Sequence, residues 1–96
     1  MLNQTIIVGR IKEFYNLGDK TMVTVIVPRS FKNENGEYES DFIDAVLCGQ
    51  VAENTTKLCE IDDIIGIKGR LTKTDYENTM NLVAEKVTFL SNKKED

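Results

Sequence analysis

The residues that usually carry out catalysis are missing from this sequence or lack the neighbours they need. Its 96 residues include no histidine, no serine in a nucleophile elbow and no phosphate-binding glycine-rich loop. Cys48 and Cys59 stand apart rather than in a Cys-x-x-Cys pair, so we expect two ordinary buried thiols instead of zinc ligands. The adjacent acids Asp62 and Asp63 are expected to be solvated. We therefore predict a protein that is not an enzyme and needs no cofactor or metal.

Three aromatic residues stand in surroundings that matter for binding. Phe31 has polar or charged residues on both sides, and a ring in such a setting is rarely part of a core. Tyr76 lies between two acids in a predicted loop. Phe42 opens an apolar segment, where a ring that fills the core and a ring that faces solvent are both consistent with the pattern.

Composition places the chain among ordinary globular domains. The hydrophobic fraction is 41% and the charged fraction 29%, and no apolar run approaches the ~20 residues that span a bilayer. The first residues lack the features of a secretory signal, so we expect a cytoplasmic protein with no membrane partner. The net charge of -4 argues against nucleic acid as a partner. The distribution of the charges must therefore decide that question.

Runs of β-branched residues and apolar alternation predict five strands, and apolar spacings of 3 and 4 after Gly49 predict one short helix. The strands are expected over Thr5–Lys12, Thr21–Val27, Asp41–Cys48, Ile64–Lys73 and Met80–Leu90. Two glycines inside the fourth strand indicate a bulge or a tight barrel bend. Five strands with a helix between the third and fourth is the element order of the all-β OB-fold, a five-stranded Greek-key barrel. Residues 1–90 are predicted to form this domain and residues 91–96 a short solvated tail.

Several segments resemble the bacterial single-stranded-DNA-binding proteins. The similar segments are Met1-Leu2-Asn3, Ile7-Val8-Gly9-Arg10, residues 28–37, Asp41-Phe42-Ile43, residues 46–49, Ala52-Glu53-Asn54, residues 66–71 and residues 75–78. They occur in the family's order and cover about residues 1–12 and 26–90. The resemblance implies sequence-nonspecific binding and protection of single-stranded DNA in replication, recombination or repair. It also implies a homo-oligomer, with a tetramer favoured over a dimer.

The resemblance further implies which side chains bind. Phe31, Phe42 and Tyr76 occupy positions where the family places rings on which bases stack. Phosphate contacts are expected from basic residues on or beside the strands, namely Arg10, Lys12, Arg29, Lys32, Arg70, Lys73 and Lys86. Many acids fall instead on predicted loops and the tail. This segregation would allow a protein of net negative charge to hold DNA.

The sequence also departs from the family pattern. The stretches from Lys12 to Thr21 and from Asn78 to Leu82 are shorter than usual, so both DNA-embracing hairpins are expected to be short. The chain stops at Asp96 without the family's linker and acidic C-terminal tip, so recruitment of repair proteins is not carried over. Two alternatives stay open: a dimeric OB-fold factor for replication restart or protein recruitment, and an OB module that binds only protein.

Overall fold

Five strands close into one barrel in the computed structural model, which describes residues 1–73 and 79–91. The elements are β1 Thr5–Leu17, β2 Lys20–Lys32, β3 Tyr38–Leu47, α1 Gly49–Leu58, β4 Ile64–Thr72 and β5 Asn81–Ser91. Around the barrel the strand order is β1-β2-β3-β5-β4. The β3–β5 pair is parallel and the other neighbouring pairs are antiparallel. The predicted OB-fold, with its helix between β3 and β4, is confirmed.

Alternate residues on each strand form the barrel interior, because successive side chains of a strand point to opposite faces. The branched residues that predicted the strands are also the ones that fill this interior. The central members of the cluster are Ile11, Val23, Val25, Ala45, Leu47, Cys59, Ile65, Ile67, Leu82 and Ala84. Residues at the intervening positions face outward; some of them, such as Met22, Thr24 and Val46, are also buried, and the exposed ones can form a binding surface.

The first hairpin is longer than the sequence analysis predicted. β1 continues to Leu17, and a two-residue turn at Gly18 and Asp19 leads directly into β2 at Lys20. Gly18 has a φ of 64°, a conformation that glycine adopts without steric cost. A register shift after Ile11 interrupts the apolar alternation, which is why the pattern suggested an early end to the strand.

β2 also continues beyond its predicted end, through Pro28 to Lys32. Proline interrupts a strand because it cannot donate a backbone hydrogen bond. The pairing of β1 with β2 ends at Ile26, however, so Pro28 pairs only with β3, at Ser40. At this point β2 is an edge strand, where proline is tolerated.

Two expectations about single residues are wrong. Cys48 is exposed and Cys59 alone is a buried thiol, because Cys48 lies in the turn that begins α1. Asp63 is buried rather than solvated: its Oδ2 accepts a 2.8 Å hydrogen bond from the backbone N–H of Glu60. In residues 1–73 and 79–91, no three His, Cys, Asp or Glu side chains are grouped so that they could hold a metal ion. No helix in these ranges is long and apolar enough to cross a membrane.

Candidate nucleic-acid interface

The ladder of β2 and β3 continues past Ile26, the last residue of β2 that pairs with β1, as a two-stranded projection with a register shift between Pro28 and Lys32, here called the hairpin arm (residues 27–41). Three exposed rings lie on the arm or at its base: Phe31 is 69% exposed, Tyr38 61% and Phe42, at the base, 61%. Phe31 faces solvent, as its polar neighbours predict. The exposure of Phe42 decides between the two readings that the sequence left open, since this ring does not fill the core of the chain.

The strand register shows which side chains share a face. Ile26 lies opposite Phe42, and Lys32 lies opposite Tyr38. Directly opposed residues project from the same face of a sheet, and so do residues an even number apart on one strand. Because the alternate residue Ala45 belongs to the core, Phe42 and Tyr38 both project from the outer face of the β2–β3 ladder.

Each of these two rings has a lysine above it. The Lys12 Nζ is 5.7 Å from the centroid of the Phe42 ring, and the Lys32 Nζ is 5.8 Å from that of Tyr38. Both distances lie within the range of cation–π attraction. Lys12 and Lys32, two of the predicted phosphate ligands, are therefore next to exposed rings.

A shallow cleft borders the Phe42 ring on the outer face. Its lining includes Lys12, Tyr15, Thr24 and Asp44. The Thr24 Oγ1 donates a 2.6 Å hydrogen bond to the Asp44 Oδ1, which holds that carboxylate in place. Burial, followed by the interaction with Asp44, raises the pKa of the Tyr15 hydroxyl. The Phe42 ring thus stands at the edge of a concave surface that is both polar and aromatic.

Arg29 is held by two carboxylates of β3. Its Nη1 donates to the Glu39 Oε1 at 2.8 Å and its Nη2 to the Asp41 Oδ1 at 2.8 Å. The Arg29 guanidinium lowers the pKa of Asp41, and the pKa of Arg29 is itself raised, in both cases chiefly through their hydrogen bond. Asp41 is opposite Val27, which packs against the core, so this cluster lies on the other face from Phe42. The sequence analysis expected many acids on loops and the tail. Glu39 and Asp41 lie instead on a strand, beside a predicted phosphate ligand.

Two more predicted phosphate ligands have looser acidic neighbours. The Arg10 Nε is 3.6 Å from the Asp62 Oδ1, and the Arg70 Nε is 3.6 Å from the Glu85 Oε2. These distances exceed those of good hydrogen bonds. All four side chains are about half exposed, and exposed pairs of this kind contribute only about 0 to 1 kcal/mol. Arg10 and Arg70 can therefore exchange these partners for phosphate.

The lysines of β4 and β5 include one that the sequence analysis missed. Lys68 lies directly opposite the predicted ligand Lys86, and both are exposed. Like charges in this arrangement repel each other. In residues 1–73 and 79–91 neither lysine forms an ion pair. Alternation along Gly66-Ile67-Lys68 would have shown that Lys68 points outward, but not that Lys86 faces it.

Two predicted binding residues remain, Lys73 and Tyr76. Lys73 is exposed and follows the end of β4. Tyr76, the third predicted stacking ring, lies outside the described residues.

Comparisons with known proteins place this chain in a family. No protein-family model matches the chain. Single-stranded DNA-binding protein B of Bacillus subtilis (strain 168) is 37% identical over 84 residues, which cover 81% of this chain and 74% of the relative. Single-stranded DNA-binding protein 1 of Clostridium acetobutylicum is 32% identical over 108 residues, with 98% of both chains covered.

A solved structure agrees with the fold. The crystal structure of a small single-stranded DNA-binding protein from Mycoplasma pneumoniae matches with a TM-score of 0.68 and 23% identity, over 100% of this chain and 99% of that one. The structural match supports the barrel, and the curated relatives match over most of their own length. The chain therefore belongs to the single-stranded DNA-binding protein family.

Proposed function

We propose that this chain binds single-stranded DNA without sequence preference and protects it during replication, recombination or repair, in the cytoplasm and without catalysing a reaction on it. The observation that carries the proposal is the exposed Phe42 ring with the Lys12 ammonium 5.7 Å from its centroid, on the outer face of the barrel. An exposed ring beside a cation offers a base a surface for stacking and offers its phosphate a positive charge. The relatives named above are single-stranded DNA-binding proteins.

Base stacking is assigned to Phe31, Phe42 and Tyr76. Phosphate contacts are assigned to the basic residues that form no close ion pair within residues 1–73 and 79–91, namely Arg10, Lys12, Lys32, Arg70, Lys73 and Lys86, with Lys68 added. We leave Arg29 out of this set, because its two carboxylate partners already satisfy it.

The cation above Phe42 does not prevent stacking. At an exposed site a cation–π contact contributes about 0.5 to 1 kcal/mol, whereas stacking of a base on an aromatic ring contributes about 1 to 3 kcal/mol. A base therefore displaces the Lys12 ammonium from the ring. The released ammonium then lies beside the phosphates of the same nucleotide.

A titration with oligo(dT) tests the function. We expect tighter binding to oligo(dT) than to duplex of equal length, because a duplex offers no free base faces. With about four phosphates neutralised per subunit, log affinity should fall against log salt with a slope near -2.8, about 50-fold between roughly 50 and 200 mM salt. Fluorescence anisotropy of labelled strands at several salt concentrations measures both quantities. Equal or tighter binding to duplex would contradict the proposal.

The assignment of Arg29 is tested by a comparison of salt slopes. Replacing Lys86 by glutamine should flatten the slope by about 0.7, the value for one lost contact with a single strand. The double variant Arg29→Gln with Asp41→Asn removes one charge of each sign and should leave the slope unchanged. If the double variant flattens the salt slope as much as Lys86→Gln does, Arg29 does contact phosphate. Circular dichroism of each variant checks that the barrel is intact.

We also propose that the chain forms a homo-oligomer, a tetramer rather than a dimer. An outer apolar patch supports this, formed where β1, β4 and β5 are neighbours and bordered by Lys68, which lies opposite Ile6: Ile6 is 66% exposed, Val8 50%, Ile64 38% and Leu90 51%. Adjacent apolar side chains that remain exposed are typical of an interface between proteins. Leu90, which is 51% exposed, thus fits a subunit contact. Sedimentation at micromolar concentration measures the assembly, and a monomeric mass would refute it.

A further inference from the structure

Tyr38 is the first residue of β3 and was not among the rings that the sequence analysis singled out. Its ring is 61% exposed although the residue belongs to a hydrogen-bonded strand. In residues 1–73 and 79–91, the contact that the structure gives this ring is with the Lys32 Nζ, 5.8 Å from its centroid. The packing of the barrel therefore does not explain an aromatic residue at this position.

Tyr38 and Lys32 repeat the arrangement of Phe42 and Lys12. In each pair an exposed ring of β3 lies beneath a lysine from another strand, with nearly equal distances of 5.7 and 5.8 Å. Both rings project from the outer face of the ladder, and at 3.3 Å per residue they stand about 13 Å apart along β3. The small residue Ser40 lies between them on the same face. The outer face of the arm thus offers a second ring and a second cation in line with the first.

The acids of the arm are kept away from this line. Glu39 and Asp41 alternate with Tyr38, Ser40 and Phe42, so they point to the opposite face, where Arg29 binds both. A phosphate that follows the outer face would meet Lys32 and Lys12 rather than these carboxylates. Glu13 and Asp44 line the cleft beside Phe42, so on the outer face it is the stretch from Phe42 to Tyr38, with Lys12 and Lys32, that favours a polyanion despite the net charge of -4.

We infer that Tyr38 is an additional stacking surface for a nucleobase and that Lys32 binds the adjoining phosphate, so that bound DNA continues from the barrel along the outer face of the hairpin arm. This inference depends on the proposed function. A cation over an exposed ring changes an equilibrium constant by about two- to fivefold, and stacking of a base by about five- to 150-fold. The base therefore replaces Lys32 on the ring, and the ammonium moves to the phosphate.

A fluorescent reporter tests the contact directly, because the chain contains no tryptophan. In Tyr38→Trp the new indole is the sole tryptophan, and we expect oligo(dT) to quench its emission as binding saturates. The matched control is Glu53→Trp on α1, an exposed position away from the arm and outside the lining of the cleft beside Lys86. Its emission should stay unchanged. Quenching of both probes alike, or of neither, would overturn the inference.

Affinity provides the second measurement. Tyr38→Ala should weaken oligo(dT) binding by about five- to 150-fold without changing the salt slope, whereas Tyr38→Phe, which keeps the ring, should bind like the wild type. Lys32→Gln should flatten the slope by about 0.7. If the wild type binds oligo(dT), and Phe42→Ala weakens this binding but Tyr38→Ala does not, this inference alone is overturned. A wild-type protein that does not bind oligo(dT) would overturn the proposed function with it.

Discussion

Replacing Phe42 by alanine should lower the affinity for oligo(dT) by about five- to 150-fold and leave the slope of log affinity against log salt unchanged. The side chain is 61% exposed and is not part of the core cluster, so the barrel should remain folded. Stacking does not release counterions, and the loss should therefore be the same at each salt concentration. Anisotropy titrations of the variant and the wild type at several salt concentrations measure both effects.

Two further substitutions at this position separate the ring from its apolar character. Phe42→Tyr keeps a flat ring and should bind within a few fold of the wild type, whereas Phe42→Leu keeps an apolar side chain without a ring and should behave like Phe42→Ala. If Phe42→Ala is folded and binds normally, the DNA path does not use this ring. If Phe42→Leu binds normally, stacking is not what the residue contributes.

Replacing Gly69 by alanine should destabilise the barrel by about 3 kcal/mol or more. A Cβ atom at this position would collide with the carbonyl oxygen of Val83 and lie 3.0 Å from its carbonyl carbon. Both atoms belong to the backbone of β5, which cannot move without disturbing the pairing of the two strands. Gly69 stands at the register shift between β4 and β5, where the backbone of β5 leaves no room for a side chain.

The same strand offers a control for this substitution. At Gly66 the nearest atoms to an added Cβ would be a side-chain carbon of Leu90 at 3.6 Å and one of Val8 at 3.8 Å, both ordinary contacts. We expect Gly66→Ala to change the free energy of unfolding by less than about 1 kcal/mol. Urea denaturation followed by circular dichroism compares the two variants. Similar midpoints for both would show that β5 adjusts to a methyl group at residue 69.

The strands could be predicted because their signals are local. The β-branched run in β2 and the paired isoleucines of β4 require an extended, largely buried backbone whatever else surrounds them. The ends of β1 and β2 could not be predicted from such local signals. Whether β1 continues past Lys12 depends on partners in β2, and whether β2 passes Pro28 depends on the absence of a β1 partner there.

The binding surface, too, could be predicted only in part. Phe31 could be placed in solvent from its immediate neighbours, and the resemblance to a known family pointed to Phe42 before its surroundings were known. The pairing of Arg29 with Glu39 and Asp41, and the position of Lys68 opposite Lys86, depend on strand registers that join distant parts of the chain. Such registers follow from packing of the whole barrel rather than from any short segment.

By itself, the sequence determined the element order and the predominantly β character, because both follow from residue types and their local spacing, and several of its segments carried the resemblance to the family. The tertiary structure alone decided which face each ring and charge occupies. It brought Lys32 over Tyr38, turned Phe42 outward and used Arg29 to hold two acids on the opposite face. The physical reason is that alternation assigns a side chain to one of two faces, but only the closed barrel determines which face is buried and which remains open to a ligand.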